Sequence, residues 1–441
     1  MDMETVDAIR RAVFWFEADI DGFGSLFDFT GDADVVLIGE ATHGTEEFYR
    51  IRAELTKALV VRKGFNIICA EADWPDAYRV NRWVRQTSGD PDAESALSDF
   101  TRFPRWMWRN TAVADFITWL RQHNGSLNER DRTGFYGLDL YSLHTSMAAV
   151  LEYLDKVDPA AAMRARYRYS CFEDYGEEPQ AYGYAAAFDM SRSCEDQVVA
   201  QLVDLQRRAA EYAQRDGHIA ADDYFFAEQN ARLVLHAEQY YRSMFVGRPD
   251  SWNLRDTHMA ETLDALMQHM KRTYGRARAV VWAHNSHLGD ARATDMARIG
   301  QLNLGQLVRQ RSGQRSRLIG FTTHSGTVTA ASNWDEPPQR MRVRPSLSDS
   351  YERLFHDVGV AQFALLLNDS GIREALRSPR LERAIGVIYR PETERVSHYF
   401  PARLSEQFDA VIHIDETHAL QPLEQWARDQ LDLPETYPTA L

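Results

Sequence analysis

The chain has 441 residues, of which 44% are hydrophobic, so it can bury a large core in one or two domains. It carries 50 Lys and Arg residues against 65 Asp and Glu residues. The resulting formal net charge of −15 argues against nucleic acid and against an anionic membrane as partners. No run of about 18 apolar residues occurs, so we expect no transmembrane helix.

The N-terminus and the cysteines bear on the cellular compartment. Residues 1–17 mix acidic, basic and apolar side chains, without the basic start and apolar stretch of a signal peptide. Cys69, Cys171 and Cys194 are too few and too scattered for a disulfide framework or a zinc cluster. We therefore expect a protein of the reducing cytoplasm.

Short runs rich in β-branched residues predict strands at Asp34–Glu40, Asn66–Asp73, Gly134–Leu140, Ala279–His284, Arg317–His324, Phe363–Asp369, Ala384–Arg390 and Asp409–Glu416. Helical patterns alternate with these runs, at Glu46–Arg62, Asp76–Gln86, Thr111–His123, Ser142–Lys156 and Leu254–Lys271. The strands are apolar throughout, which is typical of a sheet covered on both faces. The alternation predicts an α/β fold with a largely parallel central sheet flanked by helices.

The segment 159–248 interrupts this alternation. It contains no strand pattern, and its tracts 190–212 and 222–244 have helical periodicity. Residues 167–184 are rich in Tyr, Gly and acidic residues, which favours a loop. We expect a mostly helical insertion that forms a cap or wall of a cleft, between two parts of one α/β core, residues 1–158 and 249–441.

Ionisable residues follow four of the predicted strands, where each strand ends. These residues are Glu40, Glu71, Asp139 and His284. In open α/β sheets, ligands bind beyond the carboxyl ends of the strands. The sequence therefore predicts a shared polar cleft at these ends, in which a small molecule would bind.

The turn after the first predicted strand holds a carboxylate and an imidazole three residues apart, Glu40 and His43. A carboxylate beside an imidazole raises its basicity and fixes its tautomer, as a general base requires. A surface histidine in an ordinary turn is the alternative. Arg50 and Arg52 follow on the predicted helix, and either one could hold a substrate carbonyl or neutralise a carboxylate.

A second histidine pair, His284 and His287, follows another predicted strand directly. The spacing leaves catalysis, metal ligation and chance open, since no HExxH helix is present. Ser286 does not lie in a GxSxG motif, so a serine nucleophile is poorly supported, and direct attack by water remains. Arg255 opens a further predicted helix and, with Asp139, is a candidate for substrate binding.

These motifs resemble those of the erythromycin esterase family. The resemblance rests on LIGEATHGTEEFYRIRAEL, IICAEADWPDAYRVNRWV, NLRDTHMAETL, VVWAHNSHLGD and the late segment from Ala384 to Thr417, in that order. It extends from about residue 30 to about residue 425. It implies an α/β core with a helical portion and a deep cleft that contains histidines, glutamates and an arginine.

The resemblance also implies a mechanism, which is general-base hydrolysis of a lactone or ester without a covalent serine intermediate. The proposed base falls on His43, the carboxylates on Glu40 and Glu71, and the arginine on Arg52. The histidine pair falls on His284 and His287. Whether the substrate is a macrolide is left open by the resemblance.

Two other functions stay open, a metal-dependent hydrolase on the same scaffold and a ligand-binding protein without catalysis. No nucleotide-binding motif follows a strand, so no organic cofactor is expected, while a divalent metal stays possible in principle.

Overall fold

A mixed sheet of eight strands forms the centre of the computed structural model, which describes residues 3–175, 179–188, 193–213, 218–245 and 250–424. The strands are β1 Val35–Ile38, β2 Ile67–Asp73, β3 Gly134–Asp139, β4 Ala279–Trp282, β5 Ser316–Ala330, β6 Gln339–Val343, β7 Gln362–Leu366, β8 Arg380–Arg383, β9 Tyr399–Ala402 and β10 Ala410–Thr417. The order in the large sheet is β3-β2-β4-β1-β5-β10-β7, and β6 pairs with the far end of β5. The six strands from β3 to β10 are parallel, whereas β7 and β6 run antiparallel to their neighbours.

Both faces of this sheet are buried, as the continuously apolar strands predict. Every residue of β1 to β4 is buried. In β1, Val35 and Leu37 belong to one hydrophobic core, and Val36 and Ile38 belong to the core on the opposite face. This alternation follows from the two-residue period of a strand.

Helices flank the sheet. In the first part of the chain they are α1 Met3–Ala12, α2 Gly24–Phe29, α3 Glu46–Lys63, α4 Trp74–Val84, α5 Ala93–Ala96, α6 Thr111–Gly125 and α7 Leu143–Val157. The middle part contains α8 Pro159–Tyr169, α9 Pro179–Ala187, α10 Glu195–Arg207, α11 Ala209–Ala213, α12 His218–Ser243 and α13 Asp250–Tyr274. The last part contains α14 Asn285–Leu288, α15 Leu304–Ser312, α16 Tyr351–His356, α17 Ser370–Ala375, α18 Glu394–Ser397 and α19 Leu404–Gln407.

The α/β fold with a mostly parallel sheet is confirmed, but the predicted strand at Ala384–Arg390 is wrong. This segment makes only isolated bridges, from Ile385 to Thr42 and from Ile388 to Ala331. Its partners are the turn after β1 and the residue that follows β5, so no continuous strand lies alongside it to form a ladder. The sequence also did not predict the small β8–β9 sheet, or β6.

The segment 159–248 is helical and has no strand among its described residues. The loop predicted at 167–184 is wrong, since α8 continues to Tyr169, a 3-10 turn covers Ser170–Tyr175 and α9 follows. The glycine and the aromatic residues of this segment allow its helices to pack closely. A side chain on Gly183 would overlap the backbone of Tyr241, and the rings of Phe172 and Tyr182 lie 4.9 Å apart. The domain boundaries at residues 158 and 249 stay a prediction.

The cysteines differ from the expectation. Cys171 and Cys194 form a disulfide with their Cα atoms 5.9 Å apart, whereas Cys69 is free and buried in β2. Helix packing brings the two residues together, which their spacing along the chain does not reveal. Disulfides are typical of oxidising compartments, and the reducing cytoplasm stays a prediction. Across the described residues, no helix is both long and apolar enough to cross a membrane.

Candidate active site

The four strands that end in ionisable residues are neighbours in the sheet, in the order β3-β2-β4-β1. Their carboxyl ends bring Asp139, Glu71, His284 and Glu40 to one edge, next to a cleft of about 650 Å³. The predicted cleft is therefore present where the sequence places it. Glu71, Asp139 and His284 line it directly, together with His43, Arg255 and His287.

Glu40, His43 and Arg52 form a buried chain of contacts at the end of β1. His43 Nδ1 lies 2.8 Å from Glu40 Oε1, and Arg52 Nη1 lies 3.0 Å from Glu40 Oε2. Arg52 is fully buried, with its guanidinium carbon 4.5 Å from the ring centre of Tyr49 and 4.8 Å from that of Trp282. Arg50 is exposed instead, so Arg52 is the arginine that reaches the site. A carboxylate only accepts hydrogen bonds, so His43 Nδ1 is the donor.

The turn that holds His43 is fixed by backbone hydrogen bonds on both sides. The N–H of His43 donates to the carbonyl of Ile385, and the carbonyl of Gly44 accepts from the N–H of Thr329. The Tyr49 hydroxyl donates to the carbonyl of His43 at 2.9 Å. Gly44 lies so close to β5 that an added Cβ would overlap the carbonyl oxygen of Thr329. The imidazole is therefore held on a rigid turn.

Arg255 joins the ends of β2 and β3. Its Nη2 donates to Glu71 Oε1 at 2.7 Å and to Asp139 Oδ2 at 2.6 Å, and its Nε donates to Asp139 Oδ1 at 2.9 Å. Burial alone would raise the pKa of Glu71, but His287 and Arg255 outweigh it and hold that pKa well below the usual value. Glu71 is thus a carboxylate within the cleft wall. The other Glu71 oxygen accepts the backbone N–H of His284 at 2.9 Å.

His287 lies between two carboxylates. Its Nδ1 is 3.0 Å from Asp256 Oδ1, its Nε2 is 3.3 Å from Glu71 Oε1, and its ring stacks on Trp252 with centres 4.5 Å apart. Burial would lower the pKa of His287, but Asp256 and Glu71 together raise it to about 9. The two carboxylates therefore favour the protonated ring, against the guanidinium of Arg255, whose Nη1 lies 3.1 Å from His287 Nε2.

His284 has the opposite environment. Its Nδ1 accepts the backbone N–H of Ser286 at 3.2 Å and lies 2.9 Å from the Ser286 hydroxyl. Burial lowers the pKa of His284 to about 3, and the nearby His43 adds to the effect. The ring is thus neutral with its proton on Nε2. That atom is buried, and its N–H faces the backbone of Ala41 without reaching ordinary hydrogen-bond geometry. The rings of His43 and His284 have centres 4.9 Å apart.

Aromatic side chains form much of the cleft wall: Phe100, Phe103, Trp108, Tyr141, Trp252, Trp334 and Phe400. The late segment contributes Ala384, Gly386 and Val387. No described residue of the segment 159–248 lines the cavity of about 650 Å³, but Pro179, Gln180 and Tyr241 line the adjacent cavity of about 770 Å³. Helix α12 also supports the cleft wall, because the Tyr241 hydroxyl donates to the carbonyl of Tyr141 at 3.0 Å.

The sequence did not single out Asp73 and Asp76, which line the cleft beside Arg102. Asp256, the partner of His287, follows Arg255 directly in α13. A usable signal was present for Asp73 and Asp76. Asp73 ends β2, two residues after Glu71, and Asp76 lies in the first turn of α4. His324, where a predicted strand ends, lies within β5, stacks on His356 with ring centres 3.8 Å apart and does not line the cleft.

The donor set for a metal ion is a separate question. In the part of the chain that the structure describes, no three His, Cys, Asp or Glu side chains come together in a way that could hold a metal ion. The two histidines with carboxylate partners, His43 and His287, lie on different strand ends. The geometry therefore gives no support to a metal centre built from described residues.

The fold and the cleft define an α/β protein whose histidine–carboxylate pairs stand at the carboxyl ends of parallel strands. The sequence profile of the family described as erythromycin esterase matches residues 60–417, and the chain belongs to this family. Erythromycin esterase type II of Escherichia coli is 21% identical over 416 residues, covering 90% of this chain and 93% of that protein.

Two solved structures share the fold. A succinoglycan biosynthesis protein has a TM-score of 0.75 at 20% identity, with 96% of this chain and 98% of that chain covered. An erythromycin esterase mutant in its open conformation has a TM-score of 0.64 at 19% identity, with 90% and 93% covered. These likenesses confirm the architecture.

Proposed function

We propose that this protein is a hydrolase that cleaves a carboxylic ester or a lactone with a water molecule activated by His43. The observation that carries the proposal is the 2.8 Å contact of His43 Nδ1 with Glu40, on a histidine that lines the cleft. Because Nδ1 donates to the carboxylate, the lone pair of the ring is at Nε2. That tautomer is the one a general base needs. Membership of a family named for esterases supports the same reaction.

In the proposed reaction, His43 Nε2 takes a proton from water as the water oxygen attacks the carbonyl carbon. Glu40 stabilises the imidazolium that forms, and Arg52 holds Glu40 in place. The tetrahedral intermediate then collapses, the bond to the alcohol oxygen breaks, and the proton on His43 passes to that oxygen. A positioned base of this kind contributes roughly 10²–10⁴-fold in rate.

The other two histidines suit the developing negative charge. His284 is neutral, and its Nε2–H, which has only a poorly aligned contact with the backbone of Ala41, is a donor for a substrate oxygen. A protonated His287 adds positive potential at the same edge of the sheet. Different environments thus assign different roles to similar groups.

Ser286 is the rival nucleophile, since its hydroxyl lies 2.9 Å from His284 Nδ1. A base accepts a proton efficiently when its pKa is near the working pH. The pKa of His284 is lowered to about 3, which makes it a poor base for serine at neutral pH. Water activated by His43 is therefore favoured over an acyl-serine route.

The test is hydrolysis of a panel of macrolides and simple aryl and alkyl esters by the wild type, His43→Ala and Ser286→Ala. We expect turnover of at least one class, its loss in His43→Ala and its retention in Ser286→Ala. Retention in His43→Ala, or loss in Ser286→Ala alone, would contradict the mechanism. Addition of a chelator to the wild type tests the metal-dependent alternative in the same assay.

A further inference from the structure

The outer part of the cleft contains an acidic side chain that no described group neutralises. Two adjacent cavities, of about 650 and 770 Å³, share the lining residues Asp73, Asp76, Arg102, Phe103, Tyr141 and Trp334. We call these six residues the outer cleft. The two cavities therefore meet at these residues, and the cavity of about 650 Å³ also contains His43.

Asp76 is the unusual member of this set. Its exposed fraction is 7%, yet among the described residues no group donates a hydrogen bond to its side chain or forms an ion pair with it. The only arginine in the outer cleft, Arg102, is committed to Asp73 at 2.7 Å. Burial raises the pKa of Asp76 to about 8, and Asp73 and Asp99 add to that shift. Arg102 opposes this shift only in part, and a cation bound next to Asp76 would lower the pKa further and so favour the carboxylate.

Two aromatic rings, Phe103 and Trp334, line the same two cavities as this carboxyl. The rings of Phe103 and Trp334 meet with centres 4.9 Å apart, and Trp334 is 57% exposed, which is high for a tryptophan. The ring of Tyr141 is already covered by Arg102 at 4.6 Å and by Arg255 at 4.9 Å. Of the described cations, none lies over Phe103 or Trp334, so these two rings are open to a ligand.

We propose that the outer cleft binds a positively charged alkylated amine on the substrate, with Asp76 as its counter-ion and Phe103 and Trp334 as its aromatic wall. An alkylammonium group gains both from a carboxylate and from aromatic faces. A divalent metal ion fits poorly, because Ca²⁺ takes six to eight oxygen ligands and Mg²⁺ an octahedral set. This inference rests on the proposed function, because it states which esters the hydrolase would prefer.

The test compares two esters of the same shape. One is the p-nitrophenyl ester of trimethylammoniobutanoic acid, and the other is its neutral isostere, in which carbon replaces the nitrogen. We expect the wild type to prefer the cationic ester in kcat/KM by about tenfold or more, the range of a partly desolvated cation–aromatic and ionic contact. Equal kcat/KM values for the two esters would overturn the proposal.

Three variants locate the preference. Asp76→Asn, which is nearly isosteric, and Trp334→Ala, at an exposed position that the fold does not need, should each reduce the preference by about fivefold or more. Asp295→Asn is the matched control, because it removes one negative charge from another part of the same cleft. If Asp295→Asn reduces the preference equally, the preference comes from the overall negative charge of the cleft, and the proposed binding site is wrong.

Binding of phenyltrimethylammonium, measured by calorimetry, separates this proposal from the proposed function. Binding to the wild type that is weakened in both Asp76→Asn and Trp334→Ala supports the site even if neither ester is hydrolysed. No binding to the wild type, or equal binding to all variants, overturns it even if the esters are hydrolysed. The thermal unfolding midpoint of each variant shows that the comparison is made between folded proteins.

Discussion

Three histidines at one edge of the sheet differ in what their partners are. His43 donates to Glu40, His287 lies between Asp256 and Glu71, and His284 accepts from the backbone of Ser286. Carboxylates favour a protonated ring, whereas burial beside another histidine favours a neutral one. The sequence places all three residues in the cleft. Their charge states depend on the contact with Asp256 and on burial, and neither can be predicted from the spacing of the motifs.

Glu40→Gln tests the residue that holds His43. The amide can still accept from Nδ1, but it lacks the negative charge that stabilises the imidazolium in the transition state. We expect kcat to fall by about 100-fold or more while KM changes little, since the lost interaction strengthens only as the reaction proceeds. Steady-state kinetics on the best ester measure both constants. The control is Glu54→Gln on the following helix, α3, where the native side chain pairs with Lys57. An equal loss in the control, or a change in KM alone, would contradict the role of Glu40.

The ion pairs of His287 predict a pH dependence of stability. Its pKa in the folded protein, about 9, lies above the ordinary value of about 6.5, so protonation favours the folded state. The stabilisation is complete below about pH 6.5 and is lost as the pH rises through about 9. Urea unfolding across this window should give a free energy that falls by a few kcal/mol with increasing pH, and a shallower fall in His287→Gln. Parallel curves for the two proteins would contradict the assignment.

At the scale of elements, the turn between β1 and α3 is the part that the sequence describes best. Its strand and helix are confirmed, and the Glu40–His43 spacing predicts their contact. The sequence predicts the late segment least well, because Ala384–Arg390 has the composition of a strand but makes only isolated bridges. The composition of a strand indicates that the segment is buried, whereas a β-ladder also requires a neighbouring strand at hydrogen-bonding distance. The same segment then supplies part of the cleft wall.

Gly44→Ala tests whether the close approach of this turn to β5 positions the base. The new Cβ would overlap the carbonyl oxygen of Thr329, so the backbone must move and carry His43 with it. We expect a loss of at least about 2 kcal/mol in unfolding free energy and a fall in kcat. Chemical denaturation and steady-state kinetics measure the two effects. Gly89→Ala is the control, because the space around Gly89 is open and its change should alter neither quantity. Unchanged stability and kcat in Gly44→Ala would show that the approach is not needed.

At the scale of the whole molecule, the sheet and the helical segment 159–248 contribute differently to the cleft. The cleft stands on the strands β3, β2, β4 and β1, while the helices of the segment 159–248 pack behind Tyr141. The sequence predicts this helical segment, but it does not predict the disulfide, since pairing depends on how distant helices pack.

The disulfide between Cys171 and Cys194 should stabilise the protein without affecting catalysis. Its sequence separation of 23 residues corresponds to a stabilisation of about 3 kcal/mol in the chain-entropy account. We expect reductant to lower the unfolding midpoint of the wild type and to leave the midpoint of Cys194→Ser unchanged. The rate of ester hydrolysis should be the same in both, because neither cysteine lines the cleft. An equal effect of reductant on the two proteins would contradict a stabilising bond.

The central claim is that His43 acts as the base that activates water. The most direct measurement is kcat/KM of His43→Gly on the fastest ester of the panel, with and without imidazole in solution, beside wild type and the control His123→Ala outside the cleft. The account predicts a loss of about 100-fold or more and a partial recovery as free imidazole enters the space left by the ring. A variant that keeps more than about a tenth of the wild-type value would contradict it.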